Sequence, residues 1–431
     1  MAAAAEPVPH TLPHCVRLSP DEAAQLYQPQ NRSIAHLIVS SNKYDVIIIG
    51  GGVMGCAIAY YLLQNDNGLN VAVIEKDPTY ARASTTLSEG NIRVQFNIKE
   101  NIQMSLYGLQ VLKGFSQQMA VGDEKPSVYF RQQGNLFIVD AASRLEAEQG
   151  YAMQRSLGCE VEWLSPGQVQ RRYPFYNLDG CVGGTFGHND GTMSTEGVLT
   201  SYRRKVIYLG VKFVHSKAER LLVRDNRIIG VALTTKHELS AGTVVNAAGA
   251  WAAEISRTAG VELPIAPTKR QVTVLETKLQ PESLLPPIFF PSGLYCIHEG
   301  NGLFTCARSR ENDPVGCEDF LWERERFENS LWGELIEVMP AFDRLKISGG
   351  WAGLYAVNTF DGNAILGEWP QLPGLFLANG FSGHGFQQCH AVGRYIAELV
   401  LGKPLSLDLA VFSPQRILDN KPVFESARKL I

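Results

Sequence analysis

The sequence lacks several features that would define its class at once. No apolar run reaches the roughly 18 residues needed to cross a bilayer, and the eight cysteines form no C-x-x-C pair. The charge is nearly balanced, with 39 Lys and Arg against 43 Asp and Glu, so no basic surface for nucleic acid is indicated. We therefore expect no transmembrane segment, no nucleic-acid partner and, without clustered ligand residues, no metal site.

The scattered cysteines predict free thiols in a reducing compartment. We expect a cytoplasmic protein, with the matrix side of the mitochondrion as the alternative location. The N-terminus lacks the charged stretch and apolar core of a secretory signal. Glu6, Asp21 and Glu22 carry the wrong charge for a mitochondrial presequence.

The order of patterns along the chain predicts two lobes, as its length of 431 residues also suggests. Residues 1–43 are predicted to form an extension with a short helix at Ala23–Tyr27. A buried strand, a helix and a second strand then follow as one βαβ unit. Antiparallel patterns fill the middle, and the chain returns to strand, glycine loop and helix near its end.

A dinucleotide fingerprint lies at residues 50–55, where Gly50-Gly51-Gly52-Val53-Met54-Gly55 forms G-x-G-x-x-G between a strand and a helix. Gly50 permits the tight turn, Gly52 lets the backbone approach a diphosphate, and Gly55 allows close helix packing. Glu75 ends the next strand, where it can bind ribose hydroxyls and disfavours the 2′-phosphate of NADP. No second fingerprint follows, so one dinucleotide is predicted, and the fingerprint alone leaves NAD and FAD open.

Three further segments resemble the D-amino-acid oxidase and sarcosine oxidase/dehydrogenase family. They are Val244–Trp251 (VVNAAGAW), Trp351–Tyr355 (WAGLY) with Thr359–Gly362 (TFDG), and Gly380–Phe386 (GFSGHGF). The motifs stand in family order from Tyr44 to about Leu401. The resemblance implies FAD as cofactor and hydride transfer from a C–H next to nitrogen, in an amine or amino-acid-like substrate.

The predicted fold is α/β, with a Rossmann-like FAD-binding lobe built from separated segments and an inserted substrate lobe of mixed and antiparallel β-sheet. The FAD-binding lobe takes residues 44–128, 190–262 and 345–402, the substrate lobe takes 129–189 and 263–344, and 403–431 form a C-terminal tail.

The resemblance also implies the residues that bind FAD. Covalent relatives carry Cys at the position of Gly353 or an early His, and residues 83–96 contain neither, so non-covalent FAD is predicted. The expected cofactor residues are Gly50, Gly52, Val53, Met54, Gly55, Glu75, Lys76, Ser84, Thr85, Leu87, Ser88, Gly90, Asn91, Ile92, Ala218, Ala248, Gly249, Trp251, Gly353, Leu354, Gly383, His384, Gly385, Phe386 and Gln387.

Four side chains are candidates for the reaction site. Arg93 is expected beside the flavin, with an interlobe salt bridge as the alternative. Arg308 is the candidate carboxylate anchor or else an exposed strand residue. Tyr295 is a substrate-side tyrosine or a core residue, and His384 orders the glycine loop or transfers protons.

Three departures from the family pattern bear on whether the activity is that of a dehydrogenase or of an oxidase. Gln387 and Phe96 stand where monomeric sarcosine oxidase has its substrate-binding Lys and Arg, and Phe304 where it has an oxygen-activating Lys. Loss of that last cation favours a dehydrogenase over an oxidase, with O₂, a quinone or an electron-transfer protein left open as electron acceptor.

A second function from another class stays open. Ala83–Ser88 and Phe381–Gln388 are most similar to a family branch whose mitochondrial members are associated with respiratory complex I assembly. On that alternative, the protein is an assembly or scaffold protein that keeps FAD with little catalysis.

Overall fold

The computed structural model describes residues 42–425. The helix predicted at Ala23–Tyr27, most of the predicted extension and the end of the tail lie outside the described residues. Within them, no helix combines the length and apolar character that a bilayer crossing requires.

The strands of the described chain group into sheets that alternate with helices. The strands are β1 Val46–Ile49, β2 Val71–Glu75, β3 Asn91–Ile92, β4 Asn135–Asp140, β5 Val161–Leu164, β6 Cys181–Gly187, β7 Gly191–Thr192, β8 Lys212–His215, β9 Ala218–Arg224, β10 Arg227–Leu233, β11 Glu238–Ser240, β12 Thr243–Asn246, β13 Ile265–Glu276, β14 Ile288–Phe289, β15 Leu294–Gly300, β16 Leu303–Arg308, β17 Lys346–Asn358, β18 Ile365–Glu368 and β19 Leu375–Asn379.

The helices are mostly short, apart from those that cover the first sheet. The α-helices are α1 Val53–Asn65, α2 Lys99–Gln118, α3 Arg144–Ser156, α4 Pro166–Arg172, α5 Thr195–Tyr208, α6 Ala252–Arg257, α7 Arg324–Ser330, α8 Trp332–Val338, α9 Gly385–Val400 and α10 Gln415–Leu418, and 3₁₀ turns occur at Gly249–Trp251, Pro340–Phe342 and Ala410–Phe412.

The first sheet is doubly wound, in the order β18-β19-β12-β1-β2-β8. Its neighbouring strands are parallel except β18 and β19, which are antiparallel. Val46 and Ile48 enter the core beneath α1 and α9, whereas Ile47 and Ile49 enter a second core on the opposite face. Because alternate side chains of a strand point to opposite faces, the apolar run of β1 is buried on both. The α/β fold is thus confirmed.

The second sheet carries eight strands in the order β17-β13-β16-β15-β14-β4-β6-β5. The pairs are antiparallel except β14 with β4, which is parallel. Helices α7 and α8 contribute Phe327 and Leu335 to the core on one face, and Leu331 between the two helices joins them there. The sheet therefore has one face closed by its own core.

The predicted lobe boundary at residue 345 falls beside a long strand of the second sheet. Residues 345–402 are predicted to belong to the FAD-binding lobe, yet β17 pairs with β13 along nearly its whole length, from Asn358 with Ile265 to Lys346 with Glu276. Gly349 and Gly350 weaken the local strand signal, and the partner strand is far away in sequence. Strand β17 therefore belongs to the second sheet, and its Leu354 and Tyr355 lie where that sheet approaches the first.

Candidate cofactor and substrate site

The turn after β1 is shaped by glycine. Gly50 has φ +101°, a region that side chains other than glycine rarely adopt. A Cβ on Gly55 would stand 1.9 Å from the carbonyl oxygen of Gly50, so α1 approaches β1 as closely as its backbone allows. The backbone N–H groups at the start of α1 are consequently held at the end of the central strand, a site suited to a diphosphate.

A first cavity of about 210 Å³ reaches from this turn to the loop before α9. It is lined at one end by the start of α1 and at the other by the start of α9, so two helix N-termini face it. Of the predicted cofactor residues, those lining it are Gly50, Gly52, Val53, Met54, Glu75, Lys76, Ser84, Thr85, Ser88, Ala218, Ala248, Gly249, Trp251, Leu354, Gly383, Gly385 and Phe386.

Glu75 is held by backbone groups beside this cavity. Its Oε2 accepts a hydrogen bond from the N–H of Gly51 at 2.8 Å, and its Oε1 accepts one from Asp77 at 2.8 Å. Burial raises the pKa of Glu75, while these two hydrogen bonds lower it. The carboxylate is therefore fixed at the end of β2, with lone pairs left for a further donor.

A second cavity of about 80 Å³ adjoins the first and shares Ser84, Leu354 and Gly383 with it. Its other walls come from the second sheet, including Val272 and Phe289. Of the predicted cofactor residues, Leu87, Asn91, Gly353 and Gln387 line this cavity, whereas Gly55, Gly90, Ile92 and His384 line neither.

Arg93 lines the second cavity as a buried cation without a full set of partners. It is 5% exposed, and its Nε and Nη2 find no hydrogen-bond partner among residues 42–425. Its guanidinium carbon lies 5.0 Å from the ring centroid of Phe96. Burial lowers the pKa of Arg93, yet a guanidinium stays protonated. The site thus contains a desolvated positive charge whose Nε and Nη2 donors are available to a ligand.

Tyr295 and Glu89 form a pair in the same cavity, and sequence reasoning missed Glu89. The Tyr295 hydroxyl donates a hydrogen bond to Glu89 Oε2. Burial, followed by the Glu89 carboxylate, raises the pKa of Tyr295 well above its ordinary value. A single Glu in a loop carries no motif or period, so no sequence signal could have found it.

Arg308 lines the cavity, but its guanidinium is already hydrogen-bonded to other groups of the chain. Its Nη1 donates to Glu334, and its Nη2 donates to the carbonyl oxygen of Ser330 at 3.0 Å. The ion-paired side chains are 21% and 22% exposed. A guanidinium that is already paired with a carboxylate has fewer free N–H donors and less uncompensated charge for a second anion. Arg93 is therefore better placed than Arg308 to bind a substrate carboxylate.

His384 stands behind the glycine loop. It immediately precedes α9, is 5% exposed, and its ring lies edge-on to Phe96 at 5.2 Å between centroids. Burial, followed by the charge of Arg93, lowers the pKa of His384 to about 3. The imidazole is neutral at physiological pH, which favours ordering of the loop over proton transfer.

The three residues that depart from the family pattern, Gln387, Phe96 and Phe304, lie in three different environments. Gln387 lines the second cavity, and its Oε1 accepts a hydrogen bond from the N–H of Arg93 at 2.8 Å. Phe96 is buried against His384. Phe304 lies in the core of the second sheet, because Thr305, which pairs with the cavity-lining Ile297, takes the opposite face of β16. A cation at residue 304 would therefore point away from the cavity.

The mostly parallel sheet, the glycine turn and the first cavity are typical of a dinucleotide-binding protein, and the second cavity is the candidate substrate site. The chain matches the family described as FAD dependent oxidoreductase over residues 45–399, and it belongs to that family. Its cofactor is FAD.

Similar proteins include characterised amino-acid enzymes. FAD-dependent oxidoreductase domain-containing protein 1 of Xenopus laevis is 35% identical over 420 residues, covering 89% of this chain and 84% of the relative. Glycine oxidase of Geobacillus kaustophilus is 26% identical over 383 residues, covering 87% and 98%. The crystal structure of L-proline dehydrogenase from P. horikoshii matches with a TM-score of 0.78 and 26% identity, covering 89% of this chain and 100% of that one.

The residues present fit FAD without a covalent bond. No cysteine or histidine lines either cavity among the described residues, and Gly353 leaves only 3.0 Å between a built Cβ and the Cβ of Leu87. We expect acid precipitation of the holoprotein to release all of its yellow colour into the supernatant. Colour retained in the pellet after washing would contradict non-covalent binding.

Proposed function

We propose that this protein oxidises the C–N bond of an amino-acid-like substrate, either an N-alkyl, cyclic or D-amino acid, by hydride transfer to FAD. The observation that carries the proposal is Arg93. The Nε and Nη2 of this buried guanidinium have no hydrogen-bond partner among the described residues, and a buried charge with unsatisfied donors costs several kcal/mol unless an anion completes it. A substrate carboxylate fits, because it can accept two parallel hydrogen bonds from one guanidinium.

Two carboxylates whose charges act on Arg93, those of Asp190 and Glu425, are each hydrogen-bonded to other groups, which supports this role. Asp190 accepts hydrogen bonds from the N–H of Val94 and from Gln95 Nε2. Glu425 accepts from the backbone of residues 97 and 98 and from Asn101. These carboxylates act on the Arg93 charge from a distance, which leaves its open donors for a ligand.

When bound, FAD supplies the two-electron chemistry, and the chain supplies position. Arg93 fixes the carboxylate, and the apolar wall of Val272, Phe289 and Ile297 excludes water from the reacting carbon. We propose a dehydrogenase more readily than an oxidase, because residue 304, where monomeric sarcosine oxidase has its oxygen-activating Lys, is here a phenylalanine in the core of the second sheet.

Anaerobic mixing tests the proposal. We expect the yellow holoprotein to be bleached by at least one of sarcosine, glycine, L-proline, D-proline and D-alanine, with the absorbance near 450 nm lost in one turnover. The corresponding carboxylic acids without nitrogen serve as controls and are expected to leave the colour unchanged. If none of the amino acids bleaches the flavin, the oxidation proposal is wrong. A partner protein that co-purifies in equal amount would then favour the assembly alternative.

A further inference from the structure

We propose that Glu89, held by Tyr295, is the amine-binding end of the substrate cavity and accepts the proton that a substrate ammonium loses before oxidation. This inference rests on the proposed function and deepens it. It restricts the substrate to zwitterions whose amine can be protonated, and it gives Glu89 a role for which no family motif accounts.

The first support is a carboxylate oxygen of Glu89 that lacks a hydrogen-bond donor. Glu89 lines the second cavity, and its Oε2 accepts from the Tyr295 hydroxyl. Its Oε1 is buried and accepts no well-formed hydrogen bond within residues 42–425, although the hydroxyl of Thr305 is near enough to lower its pKa. A buried carboxylate oxygen without a donor is costly, and an ammonium N–H would satisfy it.

The second support is the arrangement of charge. Glu89 and Arg93 line one cavity, and each has a buried polar atom without a partner. Burial raises the pKa of Tyr355 most, Glu89 raises it further, and Arg270 and Arg93 lower it. Tyr355 thus lies within reach of both charges. One negative and one positive group, each incompletely paired, match the two ends of a zwitterionic amino acid.

The neighbouring charged groups leave Glu89 free for this role. Arg308 is paired with Glu334, and Arg270 is paired with Asp313. Glu299, which is paired with Arg131 at 2.7 Å, does not line the cavity.

The pKa of Glu89 is raised to about 7. Burial raises it most, Glu299 adds to the increase, and the Thr305 and Tyr295 hydroxyls lower it. Near neutral pH, the carboxylate form is therefore available to take a proton and the acid form to release it.

The proton step balances within the site. The N–H bond of the substrate ammonium breaks, its proton forms an O–H bond on Glu89, and the electron pair stays on nitrogen. The neutral amine then has the lone pair that expels hydride from the adjacent carbon. Tyr295 keeps its own proton, because its pKa is raised well above the ordinary value, and so it orients Glu89 as a donor only.

A binding experiment tests the amine site without turnover. α-Aminoisobutyrate has no α-hydrogen and cannot be oxidised, and isobutyrate lacks only its amine. We expect the wild-type holoprotein at about pH 8 to bind α-aminoisobutyrate about tenfold or more tightly than isobutyrate, the scale of one hydrogen bond to a charged group. Flavin absorbance reports both titrations.

The Glu89→Gln variant keeps the shape and an acceptor for Tyr295 but not the charge. We expect E89Q to retain FAD and to lose the preference for α-aminoisobutyrate. Glu299→Gln is the matched control, since it removes a neighbouring acid outside the cavity, and we expect it to keep the preference. Equal affinity of the two ligands in the wild type, or an unchanged preference in E89Q, overturns the assignment.

The pH dependence of flavin reduction supplies a second readout. With the amino acid that bleaches the protein fastest, the rate should rise with pH through about 7 as Glu89 loses its proton. Tyr295→Phe removes a hydrogen bond that lowers the pKa, so the rise should move to higher pH. In E89Q the step near 7 should vanish, with recovery only at alkaline pH where the substrate amine deprotonates itself. An E89Q profile identical to that of the wild type overturns the proposal.

The outcomes separate the two proposals. If no amino acid bleaches the wild type while α-aminoisobutyrate still binds more tightly than isobutyrate, oxidation fails and the amine site stands. If bleaching occurs but E89Q keeps the preference and the pH step, only the assignment of Glu89 fails.

Discussion

Arg93→Met is expected to abolish most substrate binding while leaving the fold intact. Removing one partner of a buried, hydrogen-bonded charge pair costs about 2–5 kcal/mol, or about 30-fold to 4,000-fold in affinity. The fold should not suffer, because the guanidinium already lacks partners at Nε and Nη2. Replacing an unpaired buried charge with an apolar side chain is neutral or stabilising.

The measurement is anaerobic flavin reduction across a range of substrate concentration, together with the thermal midpoint of the holoprotein. Arg93→Lys should be intermediate, since an ammonium keeps the charge but loses the two-pronged geometry. Arg308→Met is the control from the same cavity, and we expect little change in substrate affinity, because Glu334 already holds Arg308. A loss in R308M that equals the loss in R93M would reverse the two assignments.

Arg416→Met is expected to give the largest loss of stability. The side chains of Arg416 and Asp361 are 5% and 0% exposed, and they form two hydrogen bonds of 2.8 and 3.0 Å. Arg416 also donates to the carbonyl oxygens of Phe412, Asn363 and Ala364. Breaking a buried ion pair by removing one partner costs about 3–5 kcal/mol.

Chemical denaturation followed by tryptophan fluorescence measures this loss. Arg144→Ala is the matched control, because Arg144 and Glu148 form a pair one helical turn apart with side chains 60% and 45% exposed. Such exposed pairs contribute about 0.5 kcal/mol or less. A loss of stability in R416M no larger than that in R144A would show that the Arg416–Asp361 ion pair does not hold the tail against the rest of the described chain.

Much of the first sheet follows from local sequence. The uninterrupted apolar run of β1, the glycine turn and the next strand indicate a parallel βαβ unit, and the structure has all three. These signals are local, since each depends on neighbours within a few residues. By contrast, the tail predicted at residues 403–431 gave no sign that Arg416 would be buried against Asp361, a partner 55 residues away.

The substrate cavity is less visible in the sequence because its members meet only in the folded chain. Glu89 and Tyr295 are 206 positions apart, and Arg308 at the end of β16 pairs with Glu334 on α8. Phe304 shows the limit of alignment by motif. Because a strand alternates its faces, a side chain one position away faces the other side, and Thr305, not Phe304, shares the face of Ile297.

We infer that Arg93 holds a carboxylate next to the flavin, and titration of the oxidised holoprotein with acetate provides the test. We expect a saturable change in the flavin absorbance of the wild type, and no saturation over the same range in R93M with equal flavin content. An identical titration curve in the two proteins would contradict it.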